Sequence, residues 1–229
     1  MNRFTFKMFG RTLLMLTAML AVGLSGCGGD DNPNNNGGGT DTTGGNNNGG
    51  GSVPIGKWMK ENLNEKTADS WCYGEGGQVY VDGEYRTLSS SEIQANCAKY
   101  GRLYTWEAAK RACQSVGMRL PTREEWGALV TAAGGVGTAG KKLKSKSGWN
   151  DYDGKSGNGT DDYGFSALPG GYRESDGSFH GAGGNGFWWA ATESGGSYAY
   201  GRFMNYDDDL AFEYNYEKSG GYSVRCVSD

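Results

Sequence analysis

The sequence predicts a single α+β domain, and three observations carry that expectation. Two stretches, Thr105 to Cys113 and Thr122 to Ala133, repeat apolar residues at helical spacing behind an N-capping threonine. The last third instead breaks into short aromatic-rich runs separated by closely spaced turn signals, which reads as a meander of strands. Aromatics make up 13% of the chain and 42 residues are glycine. A core of that composition is aromatic and laced with tight turns, which disfavours a doubly wound sheet. The expected architecture is two short helices packed on small antiparallel sheets, with long Gly-rich loops.

The N-terminus reads as an address. Arg3, Lys7 and Arg11 precede the apolar run Thr12 to Leu24, too short to span a bilayer comfortably and ordered like a secretory signal. The run ends Leu24-Ser25-Gly26-Cys27, which resembles the bacterial lipoprotein signal. That resemblance implies cleavage before Cys27, residues 1–27 forming the signal peptide with its lipidated cysteine. Gly28, rather than Asp, after the cysteine favours the outer membrane where the host has one. Several acyl chains give stable anchoring where one would not. Residues 28–52 contain only Gly, Asn, Asp, Thr, Pro and Ser, which cannot build a core and read as a flexible tether. The chain is therefore expected to be exported and membrane-anchored, at the outer membrane or cell surface.

Residues 53–229 are left for the domain, enough for one core. Lys57 to Leu63 reads as a short strand and turn, and Ser70-Trp71-Cys72-Tyr73 as a buried aromatic knot. Gln78 to Arg86 alternates around Asp82-Gly83, a strong hairpin signal, and is expected to be an excursion from the core. Thr105 caps the first helix, with Trp106, Ala109 and Cys113 on one face. Gly117 turns the backbone, and Pro121-Thr122 opens the second helix. Thr122 and Glu125 form a capping box there, and Trp126, Leu129, Val130 and Ala133 make its apolar stripe. Gly134 to Gly140 is a Gly-rich run, and Trp149 to Asp162 is expected to be loop. Phe187 to Glu193, Tyr198 to Tyr206, Leu210 to Tyr216 and Gly221 to Val227 read as strands, with Asp207-Asp208-Asp209 as a surface turn.

Charge and motif spacing remove several functions. The net charge is −4, and the one basic cluster, Lys141-Lys142 with Lys144 and Lys146, is no nucleic-acid footprint. Gly135 to Lys141 imitates a phosphate-binding loop, but Lys142 stands where a hydroxyl should hold magnesium and a helix precedes it, so nucleotide binding is rejected. With Cys27 set aside, Cys72, Cys97, Cys113 and Cys226 remain, an even number in an exported chain. Three pairings are possible. The expected one joins Cys72 to Cys97, closing a local loop, and Cys113 to Cys226, tying the first helix to the last strand. Wide spacings and a single histidine, His180, argue against zinc.

Several phrases carry a family resemblance: Lys57-Trp58-Met59 with Glu61-Asn62-Leu63, Tyr100 to Trp106, Arg119-Leu120-Pro121-Thr122 with Trp126, Asp162 to Arg173, Phe187 to Glu193, and Ser223 to Val227. In order and wording they resemble the Fibrobacter succinogenes major paralogous domain. That family is similar to the C-type-lectin-like folds, which include the formylglycine-generating enzymes. The resemblance implies a C-type-lectin-like fold, in which a disulfide from the first helix to the last strand is typical.

The expected function is a non-catalytic binding or adhesion module displayed on the cell surface, with an extracellular glycan or protein as partner. The candidate ligand-binding residues are Trp149, Asn150, Asp151, Asp153, Asn158, Asp161 and Asp162. Aromatics stack on sugar faces, and carboxylates and amides bond sugar hydroxyls or ligate calcium. The alternative is that Trp149 plugs the core and the polar residues make turns through side-chain-to-backbone bonds. No cofactor is expected, calcium being the one ion considered. Trp149-Asn150-Asp151 repeats a triplet of calcium-dependent lectins but lies far from Cys226 and lacks its Glu-Pro-Asn companion. Two alternatives are an enzyme related to the formylglycine-generating oxidases and a passive surface scaffold. The oxidases need free metal-binding cysteines, and no nucleophile–base pair is apparent in the sequence.

Overall fold

The computed structural model describes residues 55–229. The expected leader, 1–27 with Cys27, and the expected tether, 28–52, lie outside the described residues. Among the described residues no helix is long and apolar enough to cross a membrane.

Among the described residues, four helices and eleven strands follow one another. A 3-10 turn at Ile55–Lys57 leads to Trp58, which bridges Val227 instead of starting a strand. Strand β1, Ser70–Trp71, pairs with β4, Leu103–Tyr104. Between them lie β2 (Gln78–Val81), β3 (Glu84–Thr87) and helix α1 (Ser90–Tyr100). Helices α2 (Trp106–Ser115) and α3 (Arg123–Ala132) are the two predicted ones. Thr105 and Thr122 cap them through side-chain oxygens, and Glu125 returns the bond to the Thr122 N–H to complete the box. Helix α4 spans Val136–Leu143, followed by a two-stranded hairpin of β5 (Asp151–Tyr152) and β6 (Lys155–Ser156). The remaining strands are β7 (Gly170–Arg173), β8 (Phe179–Ala182), β9 (Asn185–Glu193), β10 (Tyr198–Asn205) and β11 (Phe212–Glu217).

The expectation of two helices on small antiparallel sheets needs correction. Seven strands join in one mixed, mostly antiparallel sheet ordered β11-β10-β9-β7-β8-β2-β3. Its parallel contacts are β7 with β9 and β2 with β8. The β2–β3 hairpin turns at Asp82-Gly83, both with positive φ, as two-residue hairpin turns require. It is the sheet's edge, with Val79 buried, and not an excursion. Helix α1 escaped the sequence reading because only Tyr100 of it is buried, leaving no apolar stripe, although Ser89 and Glu92 form a second capping box. Helix α4 was hidden by its glycines. Gly140 has a structural reason: a Cβ there would stand 2.2 Å from the Leu210 carbonyl oxygen, so only glycine lets that backbone approach. Segment 221–227 makes isolated bridges and not a continuous strand.

Consecutive side chains on a strand point to opposite faces, and β9 exploits this with two tryptophans. Trp188 enters a core with Trp58, Trp126, Leu129, Leu143, Trp149 and Phe165, under α3 and α4. Trp189 enters a second core with Trp106, Ala112, Cys113, Leu120 and Val224, under α2. Buried indoles must place their N–H. Those of Trp106, Trp126, Trp149 and Trp189 donate to the carbonyls of Ala190, Trp189, Ala167 and Tyr104, and that of Trp188 donates to Asn62 Oδ1. Arg225 is fully buried beside them. Its guanidinium donates to Asn62 Oδ1 and to the carbonyls of Met59, Phe165 and Ser166, and desolvation pulls it down to about 9. The structure pairs Cys72 with Cys97 and Cys113 with Cys226, Cα atoms 4.8 and 5.6 Å apart.

Candidate functional site

The predicted ligand-binding residues do not converge. Trp149 is 4% exposed, with its ring in the core and its backbone N–H donating 3.0 Å to Asn158 Oδ1. Its face is unavailable to a ligand, so Trp149 and Asn158 are reassigned to packing and loop closure. Asp161 is occupied too, accepting from the N–H and hydroxyl of Ser166 at 2.7 and 2.5 Å. The side chain of Asn150 lies against Gly183, and its N–H donates to the Gly183 carbonyl. Asp151, Asp153 and Asp162 are exposed. Asp153-Gly154 forms the turn of the β5–β6 hairpin, both residues with positive φ, in a segment expected to be loop.

Asp153 lines a cleft of about 440 Å³ bordered by Lys141, Lys155 and Asp207 to Asp209. Its floor is Lys144, 1% exposed, whose Nζ donates to the carbonyls of Asn205 and Asp208 at 2.9 and 2.7 Å. Burial pulls the Lys144 ammonium below its usual range, against the pull of Asp209 and Asp208. This lysine pins the Asp207–Asp209 turn. Among the described residues no three carboxylate, imidazole or thiol groups converge as a metal centre.

What the strand pairing does assemble is an aromatic row across one face of the seven-stranded sheet. Phe212 of β11 pairs with Phe203 of β10, and Phe203 with Phe187 of β9. Phe187 lies beside Tyr172 of β7, ring centroids 4.9 Å apart. Tyr172 pairs with His180 of β8, His180 with Tyr80 of β2, and Tyr80 with Tyr85 of β3. One ring from every strand joins this row, which at a strand spacing of about 4.8 Å extends roughly 29 Å. The middle rings occlude one another: Phe187 on Phe203 and Tyr172 on His180 are stacked at 4.7 and 5.5 Å. The ends are open. Tyr80 and Tyr85 are 43% and 53% exposed at one end, and Phe212 and its neighbour Tyr214 are 40% and 64% exposed at the other.

Carboxylates border the middle of the row. Burial, and then the charges of Glu174 and its neighbours, push the hydroxyls of Tyr172 and Tyr222 up. Glu174 is itself pushed up by burial and by Asp176. His180 is half-buried in β8, not the solvated loop residue its Gly-rich surroundings suggest, and desolvation holds its imidazole below the usual range against the pull of Asp176. Its Nε2 lies 3.0 Å from Ser178 Oγ, which also donates to Asp176 Oδ1 at 2.7 Å. The order is wrong for nucleophile activation, because the carboxylate holds the serine hydroxyl instead of orienting the imidazole.

Sequence alternation marks Tyr80, Phe187, Phe203 and Tyr214 as same-face residues of their own strands, but only the pairing order joins them. The middle strands β7 and β8 carry no such signal, being short and interrupted by Gly170, Gly171 and Gly181. No curated protein and no solved structure matches the chain. Residues 53–228 match the Fibrobacter succinogenes major domain, so the phrases from Lys57-Trp58-Met59 to the C-terminal strand segment are those of that family, to which this chain belongs.

Proposed function

We propose that the chain is an exported, lipid-anchored surface protein whose C-type-lectin-like domain is a non-catalytic binding module for an extracellular carbohydrate. The observation that carries this reading is the cross-sheet aromatic row with its open tyrosine and phenylalanine ends. Exposed aromatics offer apolar faces with a polar tip, the surface that suits the apolar face and hydroxyl rim of a sugar. The carboxylates of Glu174 and Asp176 add acceptors for hydroxyl donors. The leader ending at Cys27 and the tether 28–52 supply display away from a membrane. All four domain cysteines are paired, which favours binding over the thiol chemistry of the formylglycine-generating oxidases.

The test is a glycan array probed with the chain lacking residues 1–27. Binding to a defined glycan class is expected, and the double variant Tyr80→Ala/Tyr85→Ala should weaken it about tenfold with Tm little changed. Absence of binding to any glycan, together with self-assembly into ordered arrays, would replace this reading with that of a passive coat.

A further inference from the structure

The two disulfides differ in what surrounds their sulfurs. Cys113 and Cys226 are wholly buried. Cys72 is 6% exposed, while its partner Cys97 is partly exposed and borders a cleft of about 380 Å³ with Lys60, Asn64 and Lys99 on its walls. On the buried side, Arg102 Nη1 donates to Cys72 Sγ at 3.1 Å and, at the longer distance of 3.6 Å, to Cys97 Sγ. The guanidinium is fixed there, because Nε donates to Ser70 Oγ and Nη2 to the Ser70 carbonyl and Glu75 Oε2. Cys97 thus borders a cleft walled by Lys60, Glu61 and Lys99, while the buried guanidinium sits closer to the Cys72 sulfur than to the Cys97 sulfur. That is the polarity thiol–disulfide exchange needs, since the rate rises with access to the attacked sulfur and with stabilisation of the departing thiolate.

We propose that Cys72–Cys97 is a thiol-exchange site for an external dithiol. The incoming thiolate forms a bond to Cys97 Sγ, the Cys72–Cys97 bond breaks, and its electron pair leaves on Cys72 as a thiolate held by Arg102. The second thiol of the dithiol, deprotonated, then attacks the sulfur joined to Cys97. Cys97 is released, the dithiol is oxidised to a disulfide, and the two protein sulfurs take up the two electrons and the two protons given up. The chain between the two cysteines carries β2, β3 and most of α1, and with them Tyr80 and Tyr85. Reduction therefore loosens one end of the aromatic row; only this last consequence rests on the binding reading.

The test uses the whole chain and needs no glycan. Graded dithiothreitol, alkylation and peptide mapping should show Cys72 and Cys97 labelled at a reductant concentration at least tenfold below that needed for Cys113 and Cys226. A monothiol, glutathione, should leave its adduct on Cys97 and not on Cys72. Arg102→Met should slow reduction about tenfold, and the adduct map decides the matter on the unaltered chain if that variant does not fold. Amide exchange across residues 73–96 should rise on reduction while β9 and β10 stay protected. Reduction of both pairs together, an adduct on Cys72, or an unchanged rate in a folded Arg102→Met variant overturns the proposal.

Discussion

The hairpin end of the sheet and its α2–β9 centre are built by opposite means. At the centre, tryptophans from both faces of β9 interlock with three helices, and Cys113–Cys226 joins residues 113 positions apart inside a closed core. At the hairpin end the core is a small cluster of Tyr73, Val79, Leu88, Leu103 and Phe179, with Trp71, Ile93 and Ala182 packed against it. There Cys72–Cys97, separated by 25 positions, reaches the surface only through the partly exposed Cys97 and lies beside a buried arginine. One domain thus combines a densely packed centre with a thinly packed edge. A long-range cross-link in a dense core is inert, whereas a local one over thin packing governs only the segment it encloses.

The largest effect that sharpens this contrast comes from removing the central bond. Cys113→Ala with Cys226→Ala should lose about 5 kcal/mol on chain-entropy grounds, enough to abolish cooperative unfolding at 37 °C, as read by calorimetry. Cys72→Ser with Cys97→Ser should cost about 3.5 kcal/mol at most, with amide-exchange loss confined to residues 73–96. A global collapse of protection would break the comparison. The two capping boxes give a smaller version of the same test. Thr122→Ala should cost about 1 kcal/mol of global stability by urea denaturation, because α3 is locked into the core through Trp126, Leu129 and Val130. Ser89→Ala should instead fray α1 alone, seen as faster exchange in residues 90–96.

The smallest effect is in acid. Hydrogen bonding to Arg119 holds the Glu125 carboxyl below its ordinary 4.5, and the Ser89 N–H holds Glu92 at about 2. Both carboxyls are depressed in the folded state, so their contributions are complete above 4.5 and fade as the pH falls through the folded values. Tm should therefore decline below pH 4.5, and Glu125→Gln should flatten part of that decline. An unchanged acid slope in Glu125→Gln would remove the Arg119 pair from the account.

Much of the fold was legible where local chemistry and tertiary demand agree. Thr122 and Glu125 cap α3 because their spacing alone brings each side chain to the other's backbone, and Asp82-Gly83 turns because both residues tolerate positive φ. The same logic applied to Ser89 and Glu92, or to Asp153-Gly154, would have found α1 and the β5–β6 hairpin. The site was less legible. Trp149 in a polar, acidic stretch reads as either a sugar platform or a core plug, and only the fold shows its indole spent on the core and on the Ala167 carbonyl.

By itself, then, the sequence determined the α+β class, the caps and turns of its main elements and the apolar stripes of α2 and α3. Each of these depends on residues within a few positions of one another. Only the tertiary structure decided that seven strands share one sheet, that Trp188 and Trp189 serve two cores, and that rings from Tyr85 to Phe212 form one row. Strand order is set by which distant edges pair, and a row perpendicular to the chain has no period along it. The cleft beside Cys97 and the guanidinium beneath Cys72 belong to the same kind of fact, placed by residues that meet only after folding.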